Sequence, residues 1–226
     1  RAHLLPDAIE SCLAQTFKDI EVVVVDDGST DTTPRFMEHI LKDSRTAARV
    51  NYIRLPRNKG RAFARNAGNE AAKGEYICVL DSDDGSLPDR AKITLRTMRR
   101  NPKAAMFYGG CLVGDFFGNH IGTLPDPGPF DFERAKKELF TFMAHCTMAY
   151  TKKVALKYPY TDGVWPKNGL EDFKLIFDMH LGGEKFCFSV EKVSMYRQTE
   201  DSITIWRDDE KARRVKERFV RGLKNA

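Results

Sequence analysis

The sequence predicts an α/β fold built on a doubly wound sheet, mixed but mainly parallel, with helices on both faces. Two observations carry that prediction. Short β-branched runs alternate with amphipathic stretches through the first half of the chain. Two of those runs end in acidic turns, Asp26-Asp27 and Asp81-Ser82-Asp83-Asp84. Doubly wound sheets bind ligands at the carboxyl ends of their strands, so acidic clusters at two such ends mark one edge of the sheet as functional. The 226 residues suit a single domain over 1–226, with halves 1–103 and 104–207 and a C-terminal segment 208–226.

The elements follow in order. The chain opens on an amphipathic helix in which Leu5, Ile9, Cys12 and Leu13 share one face. An α/β domain usually begins with a strand and this one begins at Arg1, so a first strand is expected to be missing from the chain. Ile20–Val25 reads as a strand buried on both faces. Thr33 and Pro34 form an N-cap and first-turn pair for a helix through Phe36, Ile40 and Leu41. Val50–Leu55 alternates as a strand. Asn58-Lys59-Gly60 opens a helix to about Ala72, with Gly74 as its stop. Tyr76–Leu80 is the next strand, and a helix runs from about Pro88 to Arg100.

Beyond Ala104 the pattern loosens. Gly109-Gly110 and Thr123–Pro129 mark loops, and Phe130–Phe140 reads as a helix. Gly169–Phe173 opens another helix, which ends at Gly182-Gly183. Lys185–Val190 and Lys192–Arg197 read as two short strands. Asp208–Leu223 is an acidic-then-basic helix whose signs match the helix dipole. It reads first as a solvated face, with docking to an anionic membrane as the sharper alternative.

Composition narrows the function classes. Hydrophobic content of 42% and aromatic content of 11% exclude wholesale disorder. No apolar run approaches the ~20 residues that span a bilayer. Thirty-seven Lys+Arg against 32 Asp+Glu leave a net charge of +5, mild enough to suit an anionic ligand or a membrane surface without demanding either. Nothing in that balance calls for nucleic acid. Cys12, Cys78, Cys111, Cys146 and Cys187 are odd in number with no C-x-x-C pair, so most read as reduced core residues. With no secretory signal visible, a cytoplasmic protein is expected, peripheral on the inner face of a membrane if the basic helix docks.

Three carboxylates within Asp81–Asp84 repel one another unless a cation or several donors collect them. Hard cations such as Mg²⁺ and Mn²⁺ take one or two carboxylates plus the phosphates of a substrate, so the turn reads as a metal site for a phosphorylated ligand. A solvated acidic turn is the plainer alternative. A calcium-sensing loop is excluded, because its sixth and twelfth positions from Asp81 hold Ser86 and Lys92. Gly85 stands where the acidic phosphatase motif needs Thr or Val, and no G-x-G-x-x-G run supports a dinucleotide enzyme.

Five stretches in this order resemble the family 2 glycosyltransferases of the GT-A fold. They are Gln15-Thr16-Phe17, Val23–Asp31, Asn58-x-Gly60 with Ala64-Arg65-Asn66, Leu80–Asp84, and Glu171-Asp172. The resemblance implies an inverting transfer of sugar from a nucleotide-diphosphate sugar, most commonly a UDP-sugar, to a glycan, lipid-linked or small-molecule acceptor. Bacterial polysaccharide or cell-envelope glycan synthesis is the implied setting. Residues 1–103 would hold the nucleotide-sugar, and 104–207 the acceptor. By the same resemblance Asp26 and Asp27 would meet base and ribose, and Gly60 and Arg65 the diphosphate side. Asp81 and Asp83 would hold donor groups, and Asp83 and Asp84 the Mg²⁺ or Mn²⁺. Glu171 would bind substrate and Asp172 would be the general base. His145 lies where some members place a histidine near acceptor or phosphate; a half-buried structural histidine is the plainer reading. Tyr196-Arg197 matches a short, weak pattern of the family, and Trp165 would stack on a sugar or merely pack. A sugar nucleotidyltransferase, or a binding domain without turnover, remains the alternative.

Overall fold

A computed structural model of the chain describes residues 2–161 and 171–199. Trp165 and the basic helix expected over 208–223 lie outside the described residues. Helix α1 (Leu5–Leu13) is followed by β1 (Val22–Asp26), α2 (Thr33–Ile40), α3 (Ser44–Ala47), β2 (Val50–Arg54) and α4 (Arg61–Ala71). Then come β3 (Tyr76–Cys78), β4 (Gly85–Ser86), α5 (Arg90–Arg100), β5 (Ala104–Gly114), β6 (His120–Thr123) and α6 (Phe132–Glu138). A 3₁₀ turn at His145–Thr147 leads into β7 (Ala149–Thr151), α7 (Lys152–Lys157), α8 (Glu171–Leu181) and β8 (Lys185–Arg197).

The α/β class holds, and its sheet is mixed. The two longest ladders, β1 on β2 and β5 on β8, are parallel. The shorter pairings β3–β7, β5–β7, β5–β6 and β4–β8 are antiparallel. Strands β1 and β2 form a separate two-stranded sheet, while the other six run in the order β3-β7-β5-β8-β4 with β6 on β5. A cleft of about 1270 Å³ separates the two, with Val22–Val25 on one wall and Tyr76–Leu80 on the other. Among the described residues nothing pairs with the cleft-side edge of β1. Its four valines are therefore half-buried, where burial on both faces was expected. Leu5, Ile9, Met37 and Val50 pack the small core beneath that sheet.

Three expectations for the second half are corrected. Gly109-Gly110 is no loop but the middle of β5, an almost wholly buried strand. The glycines are there for close approach: a Cβ on Gly109 would stand 2.5 Å from Val193 Cγ2, and one on Gly110 2.7 Å from the Val190 carbonyl oxygen. The two short strands expected at the end are one strand, β8, whose register against β5 shifts where Gly109 and Gly110 meet Ser189 and Lys192. The helix expected over Phe130–Phe140 is confined to Phe132–Glu138, opened by Asp131, whose side chain accepts from Arg134 N. Of the cysteines, Cys111, Cys146 and Cys187 are buried, Cys12 is intermediate and Cys78 is exposed.

Candidate active site

The two acidic turns follow β1 and β3 at the carboxyl ends of those strands, and α4 braces both. Gly60, with φ 94°, opens that helix in a conformation that favours glycine. Its N–H and that of Lys59 donate to the two oxygens of Asp27 at 2.8 and 2.7 Å. Asp26 is used by its own strand end: one oxygen accepts from Ser29 N at 2.7 Å, the other from the Tyr52 hydroxyl at 2.8 Å. Burial works against that carboxylate, but the Ser29 and Tyr52 hydrogen bonds hold its pKa below the ordinary value.

One turn further along α4, Arg65 gathers acids from two other elements. It donates to Glu171 Oε1 at 2.6 Å and to Asp81 Oδ1 at 2.8 Å. Glu171 is buried at the start of α8 and also lies 3.4 Å from Arg61 Nε. This two-sided clasp fixes the first turn of α8 against the acidic turn. Asp172 follows Glu171 on that turn, half-buried, with one oxygen accepting from Phe173 N at 2.7 Å. The N-terminal turn of a helix also favours carboxylates electrostatically.

The Asp81–Asp84 turn is closed by a backbone bond from Asp84 N to Asp81 O at 3.0 Å. Burial would raise the Asp81 carboxyl, yet Arg65 and then His145 hold it well below the ordinary carboxylate range. Asp84 goes the other way: burial, then the charge of Asp81, pushes its pKa well above that range. Asp83 and Asp84 are both buried polar residues. Asp84 accepts from Arg197 N at 3.0 Å, and the Arg197 side chain reaches Asp7 of α1 at 2.9 Å. A buried carboxylate that disfavours its own charge is a good host for a cation, so Asp83 and Asp84 fit a hard divalent ion shared with phosphate oxygens. Among the described residues no group of three or more His, Cys, Asp or Glu could hold a metal through protein ligands alone.

His145 sits in the 3₁₀ turn with Nδ1 3.5 Å from Asp81 Oδ2 and Nε2 2.9 Å from the Tyr160 hydroxyl. The structure thus brings Arg65, Asp81, His145 and Glu171 into one network. It sets Asp83, Asp84 and Asp172 on the elements this network ties together, and links Asp27 and Gly60 through the start of α4. Residues that pattern reading passed over are Arg90 and Tyr160. Arg90, buried in α5, donates to the carbonyls of Val79 and Met148 at 2.6 and 3.1 Å, pinning the strand end before Asp81 to the turn after His145. A charged side chain in the first turn of a helix gives no hint of such a carbonyl clamp.

The family model described as glycosyl transferase family 2 matches residues 1–158. The chain belongs to glycosyl transferase family 2. An uncharacterized glycosyltransferase of Haemophilus influenzae is 36% identical over 128 residues, which are 57% of this chain and 50% of that protein. The succinoglycan biosynthesis protein ExoO of Rhizobium meliloti is 52% identical over 91 residues, 40% of this chain and 25% of that protein. The matched segments thus span half or less of those relatives' own lengths. Among solved structures, S. aureus TarS 1–349 in complex with UDP-GlcNAc superposes with a TM-score of 0.67 at 18% identity, over 88% of this chain and 56% of that one. The Pyrobaculum calidifontis mannosyltransferase PcManGT with GDP-Man and Mn²⁺ gives 0.65 at 18% identity, over 92% and 56%. At that identity the two structures establish a shared fold for this family 2 chain. Among its described residues no helix is long and apolar enough to cross a membrane.

Proposed function

We propose that this chain transfers a sugar from a nucleotide-diphosphate sugar to an acceptor hydroxyl in one inverting displacement. The observation that carries the reading is the Arg65 clasp, which sets the first turn of α8, with Asp172, beside the acidic turn of the donor half. The nucleotide lies across the carboxyl ends of β1 and β3, its base and ribose toward Asp26 and Asp27 and its diphosphate toward Gly60, Arg65 and Asp81–Asp84. Asp83 and Asp84 would hold Mg²⁺ or Mn²⁺, which would neutralise charge on the leaving diphosphate. Asp172 takes the proton from the acceptor hydroxyl as its oxygen attacks the anomeric carbon and the bond to the diphosphate breaks. Glu171 keeps Asp172 in place rather than reacting, since Arg65 and Arg61 already engage it. A UDP-sugar donor and a polysaccharide or envelope-glycan product are the working choices, in line with the TarS complex and the ExoO relative.

A thermal-shift panel of UDP, GDP, ADP and CMP with and without Mn²⁺ tests the reading. A ligand that binds the native state raises stability as its concentration exceeds its dissociation constant. One nucleotide diphosphate should stand out, and only with metal. Equal, flat responses across the panel would remove the donor site.

A further inference from the structure

A row of polar groups, buried from α4 as far as Tyr160, runs to Asp81, and only one of its neutral arrangements turns a proton rather than a lone pair toward that carboxylate. The Asn69 side-chain amide lies 3.1 Å from the Tyr150 hydroxyl, which lies 3.2 Å from the Tyr160 hydroxyl. Tyr160 is 2.9 Å from His145 Nε2, and His145 Nδ1 is 3.5 Å from Asp81 Oδ2. Asn69, Tyr150 and Tyr160 are all buried, and burial raises both phenol pKa values, so each tyrosine keeps its single proton. With the Asn69 oxygen facing Tyr150, the Tyr150 proton goes to that oxygen. Tyr160 must then donate either to Tyr150 or to His145. In the first case neutral His145 carries its proton on Nε2 and turns a bare Nδ1 lone pair toward a carboxylate. In the second, two hydroxyl oxygens meet at 3.2 Å with no proton between them. In both, Asn69 Nδ2 stays a buried donor without a partner among the described residues. Turning the amide over gives Asn69 N–H to Tyr150, Tyr150 to Tyr160, Tyr160 to His145 Nε2, and Nδ1–H toward Asp81; the buried atom left without a partner among the described residues is then the amide oxygen, which proteins tolerate better than an unpaired N–H. Arg65 already gives Asp81 a cationic partner at 2.8 Å.

We propose that Asn69, Tyr150 and Tyr160 are positioning residues that pass one hydrogen-bond direction to His145, fixing a neutral ring protonated on Nδ1 and aimed at Asp81. Asp81 is then held by Arg65 on one oxygen and by His145 on the other, which sets the orientation of the turn carrying Asp83 and Asp84. The use of that turn in sugar transfer rests on the function proposed above; the proton arrangement does not. Long-range ¹H–¹⁵N correlation of the histidine rings in the ligand-free, ¹⁵N-labelled full chain at neutral pH separates the tautomers, with His145 assigned by its loss in His145→Gln. The expected result is a single Nδ1-protonated ring, which in Tyr160→Phe becomes a mixture of tautomers. A wild-type ring protonated on Nε2 or on both nitrogens overturns the proposal. So does a Tyr160→Phe protein that keeps the wild-type tautomer, since Asp81 alone would then set it. No nucleotide, metal or turnover enters this measurement, so its failure is distinct from failure of the catalytic reading.

Discussion

Replacing Arg65 with methionine removes the cation at the centre of the site while keeping most of its packing volume. Its partner Glu171 has a side chain only 7% exposed, so the variant strands a carboxylate in the interior. Breaking a buried ion pair from one side costs about 3–5 kcal/mol. Arg61, 3.4 Å away and 43% exposed, remains to offset part of this, which puts the loss near the low end, about 3 kcal/mol. The Asp81 arm adds less than its lowered pKa alone would suggest, because that side chain is 38% exposed and solvent screens it. In urea, with a slope of roughly 2 kcal/mol/M, the midpoint should fall by about 1.5 M with the slope unchanged. Arg65→Met combined with Glu171→Met leaves no stranded Glu171 carboxylate, so most of the loss should return. A single-variant loss below about 0.5 kcal/mol, as for ordinary surface changes, would refute the reasoning. A double variant no better than the single would do the same.

Two further outcomes follow from the acidic groups. Asp172→Asn should leave nucleotide binding within a few-fold and lower transfer by roughly 10²-fold or more, the scale of a lost general base. The wild-type product should have inverted configuration, read by NMR of the anomeric proton; retention would remove Asp172 as sole base. Asp84→Asn should abolish the gain in nucleotide affinity that Mn²⁺ brings, while stabilising the ligand-free protein at neutral pH. The sign follows from the raised Asp84 pKa: its ionised form is disfavoured in the fold, a cost absent below the ordinary carboxylate range and complete above the raised value. The stabilisation should therefore shrink as pH falls toward about 4, measured by urea midpoints across pH.

The first half of the chain was legible because its signals are local. A β-branched run, an acidic turn and a glycine-opened helix each lie within a dozen residues, and β1, β2, β3 and α4 appeared where those patterns put them. The second half was less legible, because its logic is between strands. Gly109 and Gly110 look like a turn until Val193 and the Val190 carbonyl are seen against them. Apolar residues on both sides, Ala105–Tyr108 and Cys111–Val113, were the available hint of a continuous strand. The short strands β4, β6 and β7 have too few residues to show a period, and the partners of β4 and β7 are distant in sequence. In the site, residue types were readable but couplings were not: Glu171 and Arg65 are 106 positions apart, and only the fold makes them neighbours.

Helix α4 acts as a measuring rod. Gly60 at its start is bonded to Asp27, and Arg65 farther along it holds Asp81 and Glu171. Those five residues rise about 7.5 Å along an α-helix, so the spacing between the two acidic turns is written into a count of residues. Adding or removing one residue there would shift Arg65 by about 1.5 Å and swing it about 100° around the axis. Either change would turn the guanidinium away from both carboxylates. A length so specified also limits what can bridge the two turns, since a ligand touching both must match a distance that one rigid element sets.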